Sequence, residues 1–421
     1  MTAARRSLVA SIVVQAFGAG ATFAIGIAVA LLQGPEAQGR YGLVRSAADL
    51  LLALALFGLP QGMVHALNQL GTSAAALERW SLRYALALLA LAMSVALAIA
   101  LYDSGAMLPA WLDGPYALLA LLVGAVGWVL HGLQRAFVLC RASALRFGWL
   151  SVTPALTLLV AVAVLLALES ERYAFALAAS GVASALLGAL QLRSLRAAPG
   201  WTPGAAAPWR TLWTTGTHAF AQSVVIALQP WLTFVLLRQH GASVAEVGQF
   251  VLAAYVYQAF VLPAGFVAPL LFARISAAIG AKRDYAVQDR LRRALLVTAL
   301  VAGLAALSLP PVVPALFGAA YAPAVAACVW LALSGPLVLA NRLGVAVLLG
   351  RAHFRAASAH AVLRALLVPF VVSVCLWLEP ARAVTSAAFA WCLVEALCAG
   401  ALLLWWRATS PSQAPAIEGR T

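Results

Sequence analysis

LVASIVVQAFGAGATFAIGIAVALL, residues 8–32, runs for 25 residues without a charged side chain. A helix needs about 20 mainly apolar residues to cross roughly 30 Å of hydrocarbon. Arg5 and Arg6 precede the run, but it is too long for a cleaved signal peptide, so it reads as a first membrane span. The rest of the chain repeats the pattern. Apolar stretches at 8–32, 43–67, 81–101, 115–138, 149–168, 173–191, 211–237, 247–273, 291–316, 322–349, 360–378 and 384–406 predict about twelve transmembrane helices. Hydrophobic residues make up 64% of the 421 and charged residues 10%, against roughly 25% charged in a soluble domain. Lipid admits only helices or closed barrels, and barrel strands would show alternation over ~10 residues instead. The fold class is therefore all-α and polytopic.

The formal charge of +14 follows from topology and calls for no nucleic-acid partner. Twenty-one of the 27 basic residues fall on one side of the predicted spans and five on the other, with Arg342 inside the tenth span. Positive residues concentrate in cytoplasmic loops, which predicts both termini cytoplasmic; with 26 of the 27 basic residues Arg, the usage suits a GC-rich bacterial genome and hence a bacterial inner membrane. Five scattered cysteines with no C-x-x-C pair read as small core hydrophobes rather than metal ligands.

The chain echoes itself at half-length. GPEAQGRYGLV (34–44) recurs as AEVGQFVLAA (245–254), pairing Gly39, Tyr41 and Leu43 with Gly248, Phe250 and Leu252. Ser11 and Gln15 pair with His218 and Gln222, and Gln134-Arg135 pairs with Asn341-Arg342. Two six-span halves then enter the membrane from the same side, and their interface is the natural substrate path. The predicted division is a first lobe over 1–200, a second over 201–407 and a disordered tail over 408–421.

Polar residues at membrane depth are costly and point inward. Ser7, Ser11, Gln15, Gly18 and Thr22 form one stripe on span 1; His218, Gln222, Gln229 and Thr233 form its counterpart on span 7. Such stripes are either interhelical glue or the wall of a water-filled cavity, and their occurrence at repeat-related places favours the wall. Arg45 and Asp49 lie one turn apart on span 2, and Arg342 lies deep in span 10, beyond Gly335-Pro336. Arg135, Arg274 and Arg364 sit near cytoplasmic ends, where topology accounts for them. Glu395, at the centre of span 12, needs a partner or a proton, and with Asp49 is a candidate for ion coupling. The excess of interior arginines over carboxylates suits an anionic, phosphate-bearing substrate.

No G-x-x-x-x-G-K-[ST], H-E-x-x-H or G-x-S-x-G occurs. External loops are short, with no carboxylate cluster. Transport is expected rather than catalysis, with no cofactor.

GPEAQGRYGLV, the closing LFGLPQGMVHAL (56–67), AEVGQFVLAAYVYQAFVLPAGFVAPLLFARIS (245–276), LFGAAYAPA (316–324) and GRAHFRAASAH (350–360) together resemble the bacterial polysaccharide (O-antigen, Wzx-type) flippases. That family belongs to a superfamily with the multidrug/toxin exporters and the lipid II flippase. The resemblance implies two six-helix lobes around a central cavity, with alternating access carrying an undecaprenyl-diphosphate-linked oligosaccharide to the outer leaflet. Its implied partners are that substrate, membrane lipids, and the polymerase and other assembly proteins of surface-polysaccharide synthesis. The diphosphate-binding role maps onto Arg45, Arg274 and Arg342, with Arg135 as the repeat counterpart of Arg342. The lipid II branch usually has fourteen spans, and twelve here count against it. A multidrug/cation antiporter remains the alternative, and would require a carboxylate-rich cavity.

Overall fold

A computed structural model describes residues 3–69, 72–102, 111–112, 114–196, 209–280, 288–351 and 353–409. They form thirteen α-helices: α1 (Ala3–Leu56), α2 (Leu59–Gln69), α3 (Ala74–Tyr102), α4 (Gly114–Arg141), α5 (Ala144–Ala167), α6 (Tyr173–Arg196), α7 (Trp209–Gln239), α8 (Val244–Gly280), α9 (Gln288–Phe317), α10 (Ala324–Leu333), α11 (Gly335–Gly350), α12 (Phe354–Leu378) and α13 (Ala383–Thr409). Among the described residues nine helices are long and apolar enough to span, or ten if the bent pair α10–α11 is one span. That tally takes α1 once, yet its 54 residues would reach roughly 80 Å, more than twice the hydrocarbon thickness. Gly34 divides it, with φ of 80°, a left-handed value that only glycine adopts freely. Pro35 then starts the second arm, because a first helical turn needs no amide from it. Residues 35–42, expected as a loop, are thus helical. Counting α1 as two crossings gives eleven among the described residues, and α7, apolar over Ser223–Gln239, is the candidate for the twelfth.

Sequence signals place several other boundaries. Ser243 and Glu246 exchange hydrogen bonds with each other's backbone amides at 3.1 and 2.7 Å, a capping box that starts α8. The tenth crossing breaks by 42° between α10 and α11, at Ser334-Gly335-Pro336, where proline removes a helical donor.

The buried cores segregate along the chain. Trp128, Phe137, Leu133 and Tyr173 anchor clusters built mainly from α1 to α6. Phe234, Phe250, Tyr257 and Trp391 anchor a cluster built mainly from α7 to α13. Small residues let helix backbones approach, as is usual in membranes: a Cβ on Gly127 of α4 would stand 2.4 Å from the carbonyl carbon of Gly181 on α6.

The two halves touch at opposite ends of the second arm of α1. At one end its Gly39 meets Gly248 of α8. A Cβ on Gly39 would lie 1.9 Å from the Val244 carbonyl oxygen, and one on Gly248 1.8 Å from that of Pro35. These are the two glycines that the repeat aligns, so the pseudo-twofold axis passes between them. At the other end Gly58 abuts Gly216 of α7. Beside that contact the Phe57 ring packs 4.8 Å from Trp213 and 4.1 Å from Phe220.

Candidate substrate cavity and buried charge cluster

Four helices of the second half, α7, α8, α11 and α12, enclose a cavity of about 310 Å³. Its polar lining consists of Asn341, Arg342, His360 and Arg364; Val225, Ala264, Ala346 and Ala361 supply apolar wall. No described carboxylate lines it.

Arg364 is buried and centres a network that five helices build. Its Nε and Nη2 donate to Oε1 of Gln229 on α7 at 3.1 and 2.8 Å. Nη2 also reaches the Tyr257 hydroxyl of α8 at 2.5 Å and forms an ion pair with Glu395 of α13. Tyr257 donates its own proton to Glu395 Oε1. Asn341 of α11 donates to Glu395 Oε2 at 2.6 Å and to its backbone carbonyl at 2.9 Å. His360 lies 3.4 Å from the Asn341 amide oxygen. Behind the cluster, Trp391, one turn before Glu395, donates to Thr233 at 2.9 Å and stacks edge-on against Tyr257 at 5.1 Å. Glu395 therefore has its partners within protein, with 0% of its surface exposed.

Arg342 differs. It borders the cavity beside Tyr257, but its Nε is buried without a hydrogen-bond partner, and no described carboxylate pairs with it. Desolvating a guanidinium costs several kcal/mol unless an opposite charge compensates. The same side chain hydrogen-bonds Tyr257 and feels the Glu395 carboxylate from a distance.

The first half repeats the scaffold without the carboxylate. Gln134 of α4 donates to the backbone carbonyl of Ala185 on α6 at 3.1 Å, as Asn341 does to that of Glu395. The equivalence sets Ala185 where the second half has Glu395. Arg135, the counterpart of Arg342, also has a buried Nε with no hydrogen-bond partner, and its guanidinium lies 5.3 Å over the Phe147 ring. It borders a separate cavity of about 400 Å³ with Pro60, Gln61 and Phe147.

The remaining sequence candidates lie elsewhere. Arg45 pairs with Asp49 at 3.0 Å and stacks 4.7 Å over Trp128. Gln15 donates to Ser11 at 3.2 Å, and that stripe packs on α5, where a Cβ on Gly18 would stand 2.4 Å from Val152. Gln229, from the matching stripe on α7, is spent on Arg364. The side chains of His218, Gln222 and Arg274, and the tail from 410, lie outside the described residues. Sequence reasoning put Arg364 down to topology and missed Tyr257. Arg364 is ten residues into α12, roughly 15 Å along it; setting the start of span 11 at 360 hid that depth. Tyr257 stands in a largely apolar stretch beside Gln258 and gave no signal.

The helical bundle, with this cavity inside its second half, has likenesses among solved structures. One neighbour is an inward-facing multidrug resistance MATE family transporter of the MOP superfamily, with TM-score 0.75, 16% identity and 95% of this chain covering 97% of that one. A second is the lipid II flippase MurJ in an inward closed conformation, with TM-score 0.73, 14% identity and coverage of 95% and 87%. A third is a MOP superfamily transporter from Pyrococcus furiosus, described by a reverse polarity of its binding pocket, with TM-score 0.65, 15% identity and coverage of 96% and 94%. At these identities the likeness establishes the fold. No protein-family model matches the sequence, and no curated protein does.

Proposed function

We propose that this protein is a flippase that moves an undecaprenyl-diphosphate-linked oligosaccharide across the bacterial inner membrane by alternating access, for O-antigen or other surface-polysaccharide synthesis. The observation that carries the reading is the sign of the cavity. Arg342, Arg364 and His360 belong to its lining and no described carboxylate does, and Arg342 holds a buried Nε without a partner. Glu395 pairs directly with Arg364 and acts on Arg342 only from a distance, so Arg342 has no ion pair of its own among the described residues. A diphosphate supplies the missing charge and suits a guanidinium's planar donors. In this scheme Arg135 acts as the equivalent anion contact of the first half. Arg45 and Arg274 contact the substrate along its path, with Gln15, His218, Gln222 and Gln229 on the cavity wall. Both termini are cytoplasmic in the same scheme, the chain divides near residue 200, and the cycle is transport without catalysis.

The multidrug/cation antiporter reading draws on the MATE neighbours. A cation site needs available carboxylates, and Asp49 and Glu395 each already hold an arginine. Ion coupling through either would require that pair to open during the cycle. The test is a pair of alanine variants, Arg45→Ala and Arg342→Ala. Loss of surface polysaccharide with normal protein in the membrane supports the proposal, and full polysaccharide from both variants overturns it.

A further inference from the structure

Helix α11 has two working faces. Asn341, Arg342 and Ala346 look into the cavity just described. On its reverse face Pro336, Ala340 and Gly344 line a second cleft, of about 570 Å³, with α9 and α13. That cleft is almost wholly apolar, and it exists because the chain bends at Ser334-Gly335-Pro336 and carries no side chain at Gly344. It runs from Pro336 to Val347, roughly 16 Å, which is half the hydrocarbon thickness and so the depth of one leaflet.

The two ends of the cleft differ. The deep end holds only apolar residues. The other holds Arg292, a lining residue, and Trp406, whose ring lies 4.6 Å under the Arg351 guanidinium. Arg292 and Arg351 are exposed, and among the described residues neither joins an ion pair. An apolar slot of one-leaflet depth, with aromatic and cationic groups at its interfacial end, matches the chain and phosphate of a membrane lipid.

We propose that this cleft is a binding site for an anionic phospholipid of the inner leaflet. One acyl chain lies along α11 between α9 and α13, and the phosphate sits between Arg292 and Arg351. The lipid braces α11 from behind, opposite Arg342, and is a resident of the membrane rather than the cargo.

The test is native mass spectrometry of the detergent-purified full-length protein with equimolar phosphatidylglycerol and phosphatidylethanolamine. Near a membrane surface each arginine is worth roughly fivefold in anionic-lipid binding, so the pair gives roughly thirty-fold preference for phosphatidylglycerol. The double variant Arg292→Gln/Arg351→Gln changes exposed residues only. It is expected to abolish that preference while retaining lipid. Ala340→Phe fills the cleft and is expected to lose both lipids, whereas Arg342→Gln leaves the preference unchanged. Equal retention of the two lipids by the wild type, or an unchanged preference in the double variant, overturns the proposal. So does displacement of phosphatidylglycerol from the cleft by a polyprenyl diphosphate.

Discussion

Removing one member of the Arg364–Glu395 pair should harm the protein more than removing both. Glu395→Ala strips Arg364 of its only described counter-charge, and both residues are buried, at 5% and 0% exposure. Arg364 then keeps two neutral acceptors, Gln229 Oε1 and the Tyr257 hydroxyl. The two donors of Asn341 to Glu395 Oε2 and of Tyr257 to Oε1 lose their acceptors. Breaking a buried pair from one side costs about 3–5 kcal/mol, whereas replacing both partners with apolar residues is often neutral. With roughly 2.1 cal/mol/K of unfolding entropy per residue over 421 residues, that is a fall in thermal midpoint of roughly 3–6 °C. The assay is thermal unfolding of purified Glu395→Ala, Arg364→Met and the double Arg364→Met/Glu395→Leu in one detergent. The double variant should unfold above both single variants. A double variant no more stable than the sum of the single losses would refute the view of this cluster as a mutually neutralised pair.

The remaining predictions bear on other parts of the molecule. Gly248→Ala places a methyl 1.8 Å from the Pro35 carbonyl oxygen; spin labels on the adjoining ends of α1 and α8 should report a wider separation, and an unchanged distance would show the contact is not tight. Gly34→Ala forces a residue with a side chain into the positive-φ extended conformation that glycine alone adopts readily, at about 1–3 kcal/mol, visible as a lower thermal midpoint with unchanged secondary structure by circular dichroism. Arg135→Gln should weaken binding of a short-chain polyprenyl diphosphate less than Arg342→Gln does, because Phe147 already stacks on the Arg135 guanidinium; equal losses would indicate two equivalent anion sites.

Much of the fold was legible because lipid imposes one rule on every span: about twenty apolar residues and few charges. Gly39 and Gly248, matched only by a short echo, do face each other. The echo of Gln134-Arg135 in Asn341-Arg342 likewise marks two arginines that each bury an Nε without a hydrogen-bond partner, beside different neighbours. The break at Gly34 was less visible, since a polar GPEAQGR run reads as a loop although its backbone is helical. The charge cluster was legible in part. Glu395 announced itself as a carboxylate at mid-span in need of a partner. Its partner did not, because arginine near a span end is the ordinary mark of topology, and an error of six residues in the start of a helix moves a side chain by roughly 9 Å. The stripe on span 7 marked Gln229 as inward-facing without naming its partner, and Tyr257 enters the network through tertiary packing of α8, which no periodicity encodes.

The central claim is that the cavity carries an anion on Arg342. Its most direct test is translocation in proteoliposomes, with purified protein, a fluorescent undecaprenyl-diphosphate-linked oligosaccharide and a reagent that reads which leaflet holds it. The account predicts translocation by the wild type and at least a tenfold slower rate in Arg342→Gln, by roughly the 1.5–3 kcal/mol of one charge-assisted hydrogen bond. Transport of an organic cation in place of the lipid, unaffected by Arg342→Gln, would contradict it.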